Sequence, residues 1–190
     1  KKNQPLVFGL SDITALTSNK YGYSAEEVLK ACQALYETHK LTSYPRTDCA
    51  YLPESQYADA PSVLRAISHV NPELAVLVNG ADPRIKSKTW DDLRITAHHG
   101  IIPTMHKGSK AALSKCERNI YDLIVHNYLA QFYPLHVYMS TIVDVDISCE
   151  TFSASCKVVT CNGWCDVFGE DQEEADKEWD ERSSQKLPPM

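Results

Sequence analysis

Long apolar runs are missing from this sequence of 190 residues. A membrane-spanning helix needs about 20 consecutive apolar residues, and no stretch approaches that length. No apolar segment follows the polar opening Lys1-Lys2-Asn3-Gln4-Pro5, which predicts that there is no secretory signal peptide. An initiator Met is missing too, and we expect a piece of a longer, cytoplasmic chain.

Cysteine pairs of the C-x-x-C kind are also missing, although the chain holds seven cysteines. Their odd number and the length of the chain argue against a small disulfide-bonded scaffold. We interpret them as free thiols, several of which pack as small apolar side chains in strand-like sequence. The alternative is a zinc site among the last four. These four are Cys149, Cys156, Cys161 and Cys165.

A strong charge of one sign is absent from residues 1–169, which hold 17 acidic and 16 basic residues. The formal charge of −6 arises in residues 170–190, where eight residues are acidic and three are basic. We interpret this segment as an acidic linker or loop. The remainder has an ordinary globular composition, since 43% of the whole chain is hydrophobic.

Two capping boxes mark the starts of helices. They are Ser24-Ala25-Glu26-Glu27 and Ser114-Lys115-Cys116-Glu117, and apolar residues follow each of them at helical spacing. Gly22 separates the first from a shorter helix, whose cap we expect to be Ser11 or Asp12. This pair predicts a helix-turn-helix-like unit. The expected helices are residues 11–20, 24–39, 53–69 with a break at Pro61, 72–79, and one that begins at 114.

Strand-like patterns begin after these helices. Residues 136–148 and 151–160 are rich in Val, Ile, Thr and Tyr at a period of two, which predicts two strands joined at Cys149-Glu150. Asn162-Gly163 predicts a turn, and residues 164–168 a short third strand. The fold class is therefore α+β. We divide the chain into a helical domain at residues 1–134, a β segment at 135–169 and the acidic segment at 170–190.

The stretch Tyr44-Pro45-Arg46-Thr47-Asp48 offers a nucleophile beside a cation. Proline favours extended backbone before it, and alternation then puts Tyr44 and Arg46 on the same side. A phenol that attacks a phosphodiester needs positive charge at the phosphate, and a guanidinium offers a planar fork for its oxygens. Asp48 could orient Arg46. The alternative is a turn in which Tyr44 packs and Arg46 pairs with a surface acid.

Two adjacent histidines, His98 and His99, lie in residues 80–112, where no periodic pattern is sustained. They could hydrogen-bond a phosphate or carry a proton, although adjacent histidines rarely ligate one metal ion. An irregular segment of this length is usually functional or disordered. The alternative is a loop that packs Ile101 and Ile102, with incidental histidines.

Three stretches taken together resemble type IA DNA topoisomerases, and the topoisomerase III branch most closely. They are residues 5–37, residues 44–53 with Tyr-Pro-Arg-Thr-Asp-Cys, and residues 96–104 with Thr-Ala-His-His-Gly-Ile-Ile-Pro-Thr. Residues 158–169 are also similar to the strands that follow in that family. The resemblance implies a catalytic-tyrosine helical domain with a CAP-like helix-turn-helix unit, followed by part of a hinge or gate β-domain.

The resemblance also implies the chemistry. Tyr44 matches the nucleophile that becomes linked to the 5′-phosphate of one DNA strand. Another strand then passes, and the free 3′-hydroxyl reseals the break without ATP. Arg46 matches the arginine that holds the scissile phosphate, and His98 the active-site histidine. The implied DNA-binding residues are Arg46, Thr47, His98 and His99, and the implied partner is single-stranded DNA.

The metal ligands of that family have no counterpart in an appropriate place. The family binds Mg²⁺ through a Glu and a D-x-D in an N-terminal domain, whereas Asp144-Val145-Asp146 lies in a predicted strand after the nucleophile. We therefore expect no metal or other cofactor in this chain, a partner domain that binds Mg²⁺, and little cleavage by the chain alone. Gly100 replaces an expected Ala, and the implied location is the bacterial nucleoid or a plasmid.

Other functions stay open. A non-catalytic helix-turn-helix DNA-binding module fits the helix pair, but its presumed recognition helix, residues 24–39, carries three glutamates. A tyrosine recombinase would carry its tyrosine after its Arg and His residues, whereas Tyr44 comes first. Residues 170–190 suggest an acidic interaction module, although a solvated linker has the same composition.

Overall fold

The computed structural model describes residues 1–95, 97–148 and 150–169. The chain divides into two compact units, one of Asn3–Pro134 and one in which Lys1–Lys2 joins the chain from Leu135 onward. The predicted acidic linker, residues 170–190, lies outside the described residues. In the part that is described, no helix combines the length and the apolar character needed to cross a bilayer.

The first unit is mainly helical. Its α-helices in the described part of the chain are α1 (Leu10–Tyr21), α2 (Ala25–Glu37), α3 (Ala60–Val70), α4 (Ala75–Gly80) and α5 (Lys115–Ala130). Short 3₁₀ turns lie at Glu54–Asp59, Pro72–Leu74, Asp92–Arg94 and Lys110–Ala112. The five predicted helices are confirmed in their order along the chain. Two of them, expected at residues 53–69 and 72–79, begin with a 3₁₀ turn before the α-helix starts.

Both predicted capping boxes lie at helix starts. The Glu27 N–H donates to the Ser24 hydroxyl at 3.3 Å, and the Ser24 N–H donates to the Glu27 carboxylate at 2.9 Å. Ser114 and Glu117 form the same pair of bonds at the start of α5. Each box satisfies two N–H groups that the helix itself leaves without a partner, so these starts follow directly from the sequence.

The cap of α1 differs from the prediction. The N-cap is Gly9 rather than Ser11 or Asp12, because the Asp12 carboxylate accepts the Gly9 N–H at 3.0 Å from inside the first turn. Gly22 ends α1 in the left-handed region, at φ 73°, where a glycine has no Cβ clash. The break between α1 and α2 is therefore confirmed where it was expected.

One part of the core of the first unit lies where α2 and α5 pack together. Along α2 the buried residues recur at helical spacing, and the apolar face of α5 covers them. Burying one such aliphatic side chain contributes about 1.5–3 kcal/mol. The buried apolar residues on the two helices are Val28, Ala31, Cys32, Leu35, Ile120, Tyr121, Ile124, Val125, Tyr128, Leu129 and Ala130.

Residues 80–112 contain no long element, as the lack of a period predicted. Contacts with earlier segments fix this stretch at separate points. Trp90 is buried and forms a parallel bridge with Leu52, and Ile101 forms an antiparallel bridge with Phe8. The stretch is therefore anchored to the core, and both anchored positions flank the two histidines.

The second unit contains an antiparallel hairpin of β1 (Val137–Ile147) and β2 (Glu150–Cys161). The two predicted strands are confirmed, and the fold is mixed helix and strand with a two-stranded antiparallel sheet. Cys149, expected in the connection, lies outside the described residues. Asp144 and Asp146 are exposed on β1, where they accept hydrogen bonds from Ser153 at 2.5 Å and Thr151 at 2.6 Å.

The predicted third strand is wrong. Gly163–Val167 forms a 3₁₀ helix, in which Trp164 and Val167 are both buried. These two residues are three positions apart and therefore share one face of a 3₁₀ helix, whereas strand alternation would put them on opposite faces. The Trp164 indole N–H also donates to the Lys2 carbonyl at 3.2 Å, which fixes this side chain in its buried position.

The six cysteines in the described ranges are free thiols, as predicted. Cys156 and Cys161 are exposed on β2, and Cys165 is half-buried in the 3₁₀ helix. Among the described residues, no three His, Cys, Asp or Glu side chains come close enough together to hold a metal ion. The zinc alternative also involves Cys149, which lies outside those residues.

Candidate active site

The segments that carry Tyr44 and the two histidines lie side by side. The Ser43 N–H donates to the Ile102 carbonyl at 2.8 Å, and the Thr104 N–H donates to the Leu41 carbonyl at 3.0 Å. The Ser43 hydroxyl accepts the Ile102 N–H at 3.0 Å as well. Two motifs that are more than fifty positions apart in the sequence therefore form one short antiparallel pairing.

The N-terminal segment supports this pairing from the other side. The Ile101 N–H donates to the Phe8 carbonyl at 2.8 Å, and the Leu10 N–H donates to the Thr47 carbonyl at 2.7 Å. A Cβ on Gly9 would lie 3.0 Å from the backbone of Asp48, so glycine permits a close approach here. All three motif segments thus meet at one place.

Tyr44 lies between two aromatic rings. The His98 ring is 4.7 Å away between centroids with a tilt of 45°, and the Tyr36 ring is 5.6 Å away and nearly perpendicular. Tyr44 is 38% exposed, and its hydroxyl has no hydrogen-bond partner among the described residues. Its ring is therefore held by stacking while its oxygen remains available.

His98 also lines an open cleft of about 490 Å³. Arg46 is exposed on its wall, and within the described ranges its guanidinium has no hydrogen-bond or ion-pair partner. The expectation that Asp48 orients Arg46 is wrong, because Asp48 instead accepts the Ser11 hydroxyl at 2.8 Å. The residues that line the cleft are Arg46, Thr47, Asp48, Cys49, Ala50, Tyr51, Arg94, Ala97 and His98.

Thr47 is buried and stabilises the loop that carries Arg46. Its hydroxyl accepts the Cys49 N–H at 3.1 Å, and its own N–H donates to the Pro45 carbonyl at 3.0 Å. The Thr47 carbonyl accepts the Leu10 N–H, so the N–H, the carbonyl and the hydroxyl of Thr47 each take part in a hydrogen bond within the protein. Thr47 therefore fixes the backbone between the tyrosine and the cleft.

The two histidines have different environments. His98 is exposed on the cleft, whereas both ring nitrogens of His99 bind the protein. His99 Nδ1 lies 2.8 Å from the Gly100 carbonyl, which can only accept, so Nδ1 carries the hydrogen. His99 Nε2 then accepts from the Gln56 side-chain amide at 3.2 Å. Of the two, only His98 presents its ring to the cleft.

Buried tyrosines elsewhere provide a contrast to Tyr44. Burial raises the pKa of Tyr121 and of Tyr128 far above the usual phenol range, because the charged form would lose its water. Both lie in the α5 core, out of reach of a large polyanion. Tyr44, by contrast, is exposed, and its ring packs against His98.

Sequence reasoning missed two residues of the cleft, Tyr51 and Arg94. The Arg94 guanidinium donates to the Tyr51 hydroxyl at 2.9 Å and lies over the Tyr51 ring, 5.1 Å from its centroid. Both had ordinary surface patterns in the sequence. The one available signal was Trp90, an apolar residue within a polar stretch. Its bridge to Leu52 brings the segments of Tyr51 and Arg94 together.

The described part of the cleft does not fit a magnesium site. Asp48 is the one carboxylate among its lining residues, and Arg46 and Arg94 bring positive charge to the same walls. Mg²⁺ is usually bound by one or two carboxylates together with substrate phosphates, whereas here two guanidiniums that repel a cation accompany a single carboxylate. The arrangement suits an anionic group such as a phosphate.

Known proteins are similar to this chain along its whole length. A family model described as DNA topoisomerase matches residues 1–190. DNA topoisomerase 3 of Vibrio cholerae is 40% identical over 190 residues, which cover 100% of this chain and 28% of that protein. DNA topoisomerase 3 of Bacillus cereus is 35% identical over 190 residues, which cover 99% of this chain and 26% of that protein.

A solved structure has a similar fold. Full-length topoisomerase I from Thermotoga maritima superposes with a TM-score of 0.59 at 20% identity, over 89% of this chain and 28% of that one. The chain spans roughly a quarter of the length of the curated relatives it matches. Because the family model covers every residue and these relatives carry one name, the chain belongs to the type IA DNA topoisomerases, in the topoisomerase III branch.

Proposed function

We propose that the protein containing this chain changes DNA topology by cutting one strand through Tyr44. The Tyr44 oxygen forms a bond to the scissile phosphorus, and the bond from phosphorus to the 3′-oxygen breaks. The phenol proton leaves as the new bond forms, and the 3′-oxygen becomes a hydroxyl. After another strand passes, that hydroxyl attacks the phosphotyrosine and restores both groups, so no ATP is consumed.

The observation that carries this proposal is the exposed Tyr44, whose ring packs on His98, a residue that lines one cleft with Arg46. An ordinary phenol is ionised in roughly one molecule in a thousand at pH 7, which corresponds to about 4 kcal/mol. Positive charge at the phosphate and a neighbouring proton acceptor offset part of that cost. We assign the first role to Arg46 and the second to His98, whose ring stacks on the tyrosine.

Among the four proposed DNA-binding residues we distinguish two kinds. Arg46 and His98 reach the cleft with groups that are free to meet DNA, so we assign them direct contacts with the strand. The side chains of Thr47 and His99 are already engaged in local hydrogen bonds. We therefore assign these two the positioning of the loops that present Arg46 and His98.

The domain roles are part of the proposal. We propose that residues 1–134 form the catalytic-tyrosine domain, with α1 and α2 as a CAP-like helix-turn-helix unit, and that residues 135–169 belong to the hinge or gate domain. Since Asp48 is the one carboxylate among the described cleft-lining residues, the Mg²⁺ of the full enzyme would be held by a domain outside this chain. The chain alone would then cleave little or no DNA. We propose single-stranded DNA as the substrate and the bacterial nucleoid or plasmids as the location.

A trapping assay with the full-length protein tests the role of Tyr44. Labelled single-stranded DNA and Mg²⁺ are added, and denaturation then traps any covalent complex. We expect an adduct with the wild type and none with Tyr44→Phe, because the substitution removes one oxygen atom, the nucleophile. Tyr21→Phe, the same change at the end of α1, serves as the matched control and should trap DNA normally.

Two outcomes would contradict the proposal. One is an adduct that persists in Tyr44→Phe, which would assign the chemistry to another residue. The other is the absence of any adduct while both proteins bind DNA alike, which would favour a non-catalytic helix-turn-helix module. That alternative is disfavoured by α2, where Glu26 pairs with Lys30 at 2.7 Å and reduces the charge available to DNA.

A further inference from the structure

Arg94 brings a second guanidinium to the cleft that Arg46 lines. It ends the 3₁₀ turn Asp92–Arg94, whose N-cap Asp91 accepts the Leu93 N–H at 3.0 Å. The Cys49 thiol lies 3.7 Å from the Arg94 carbonyl, which ties this turn to the segment after the proposed nucleophile. The backbone of Arg94 is therefore anchored to the cleft wall.

The side chain of Arg94 is held on two sides. Nη1 donates to the Tyr51 hydroxyl at 2.9 Å, and Nε lies 3.4 Å from the Asp91 carboxylate. The guanidinium also lies over the Tyr51 ring, which attracts a cation through its electron-rich face. These contacts fix the plane of a side chain that is still 62% exposed.

This arrangement leaves donors for an anion. A guanidinium carries five N–H groups, of which the contacts with Tyr51 and Asp91 engage two. The remaining groups, on Nη1 and Nη2, have no partner among the described residues. A guanidinium that is already oriented loses less side-chain entropy when it binds a phosphate, and its fork matches the phosphate oxygens.

We propose that Arg94 binds a phosphate of single-stranded DNA next to the one that Arg46 holds. Tyr51 and Asp91 are then positioning residues that orient Arg94. The inference rests on the proposed function for the identity of the polyanion, and it adds a second contact to the strand path. Asp48 is the one carboxylate among the cleft-lining residues, and it stands against the two guanidiniums of Arg46 and Arg94.

The test measures binding of oligothymidylate by the full-length protein over a range of salt concentrations, in a Tyr44→Phe background that prevents cleavage. We expect Arg94→Ala to weaken binding roughly tenfold at low salt, as for a hydrogen bond to a charged group. The slope of log K against log salt should fall by about 0.7, the value for one phosphate contact on a single strand. Tyr51→Phe keeps the charge, so it should weaken binding less and leave the slope unchanged.

Arg84→Ala is the matched control, since Arg84 is an exposed arginine paired with Asp82 outside the cleft. It should leave both the affinity and the slope unchanged. An unchanged slope in Arg94→Ala, with or without weaker binding, would overturn the proposal, because the residue then contacts no phosphate. An equal change in Arg84→Ala would overturn it too, by assigning the effect to overall charge.

Failure of the proposed function is a separate result. Covalent trapping by protein with Tyr44 intact reports on the nucleophile, whereas the salt slope reports on a phosphate contact. If the wild type traps DNA and Arg94→Ala keeps the slope of the parent protein, only the phosphate contact of Arg94 is rejected. If no DNA is trapped but the salt slope falls in Arg94→Ala, the nucleophile role of Tyr44 is rejected and the phosphate contact of Arg94 is retained.

Discussion

The environment of Tyr44 suits the role of nucleophile that we propose for it. Its ring is fixed by His98 on one side and Tyr36 on another, and its oxygen is left without a protein partner among the described residues. Tyr121 and Tyr128 show the opposite case, since burial raises their pKa and excludes the substrate. Its exposure and its contact with His98 therefore distinguish Tyr44 from the buried tyrosines of the α5 core.

Gly100 leads to a prediction about packing behind the site. A Cβ on Gly100 would lie 2.3 Å from Cγ2 of Val7, which is buried. We expect Gly100→Ala to lower the free energy of unfolding by about 1–3 kcal/mol, because Val7 cannot move away without repacking. Urea unfolding of the chain measures this change.

The same substitution in a Val7→Ala background provides the control. Truncation of Val7 removes the methyl group that the new Cβ would meet, so Gly100→Ala should cost clearly less there. Equal costs in the two backgrounds would show that the strain comes from elsewhere, for example from the Cys49 carbonyl, which lies 3.2 Å from the same Cβ position.

Single residues could be predicted from the sequence where they lie in a motif that resembles the family. Tyr44, Arg46 and His98 belong to motifs, and their roles stay predictions until the trapping assay is done. Arg94 belongs to no motif, and it reaches Tyr51 only because Trp90 pairs with Leu52 far along the chain. The role predicted for Asp48 was wrong because its carboxylate accepts a hydrogen bond from Ser11 on α1. The sequence alone could not reveal this contact between distant segments.

At the scale of elements, the contact between α2 and α5 makes a prediction about pH. Burial raises the pKa of the Cys32 thiol on α2 to about 12. In the unfolded chain a thiol titrates near pH 8.5. The folded state therefore keeps a proton that the unfolded state loses, and stability that is fully present below about pH 8.5 declines as the pH rises towards 12.

The decline should amount to about 1.4 kcal/mol per unit of pH within this window. Urea unfolding between about pH 8 and 9, below the titration of ordinary phenols, measures it. Cys32→Ala should reduce the dependence whatever its effect on absolute stability, and leave the part from Cys116, whose pKa burial also raises. Cys156→Ala, at an exposed thiol, should leave the dependence unchanged. A Cys32→Ala variant with the wild-type dependence would contradict the assignment.

Elements were predictable where local signals and burial agreed. Capping boxes located α2 and α5, and period-two patterns located both strands of the hairpin. The segment 163–167 was mistaken for a strand because Trp and Val favour strands in general, whereas here two residues three apart share one buried face. Tertiary burial overrode intrinsic preference in that short segment.

At the scale of the molecule, the chain is about a quarter of the length of its relatives. The described lining of the cleft has two guanidiniums and one carboxylate, and no cluster of three possible metal ligands lies among the described residues. We therefore expect nucleophile and phosphate-binding groups in this chain, and the metal elsewhere in the full protein.

The most direct measurement of the central claim is to locate the covalent bond. The full-length protein is trapped on single-stranded DNA, digested with protease, and the peptide that retains a nucleotide is identified by mass spectrometry. The account predicts a nucleotide joined through its 5′-phosphate to Tyr44, with a free 3′-hydroxyl on the released strand. A nucleotide on any other residue, or a linkage through the 3′-phosphate, would contradict it.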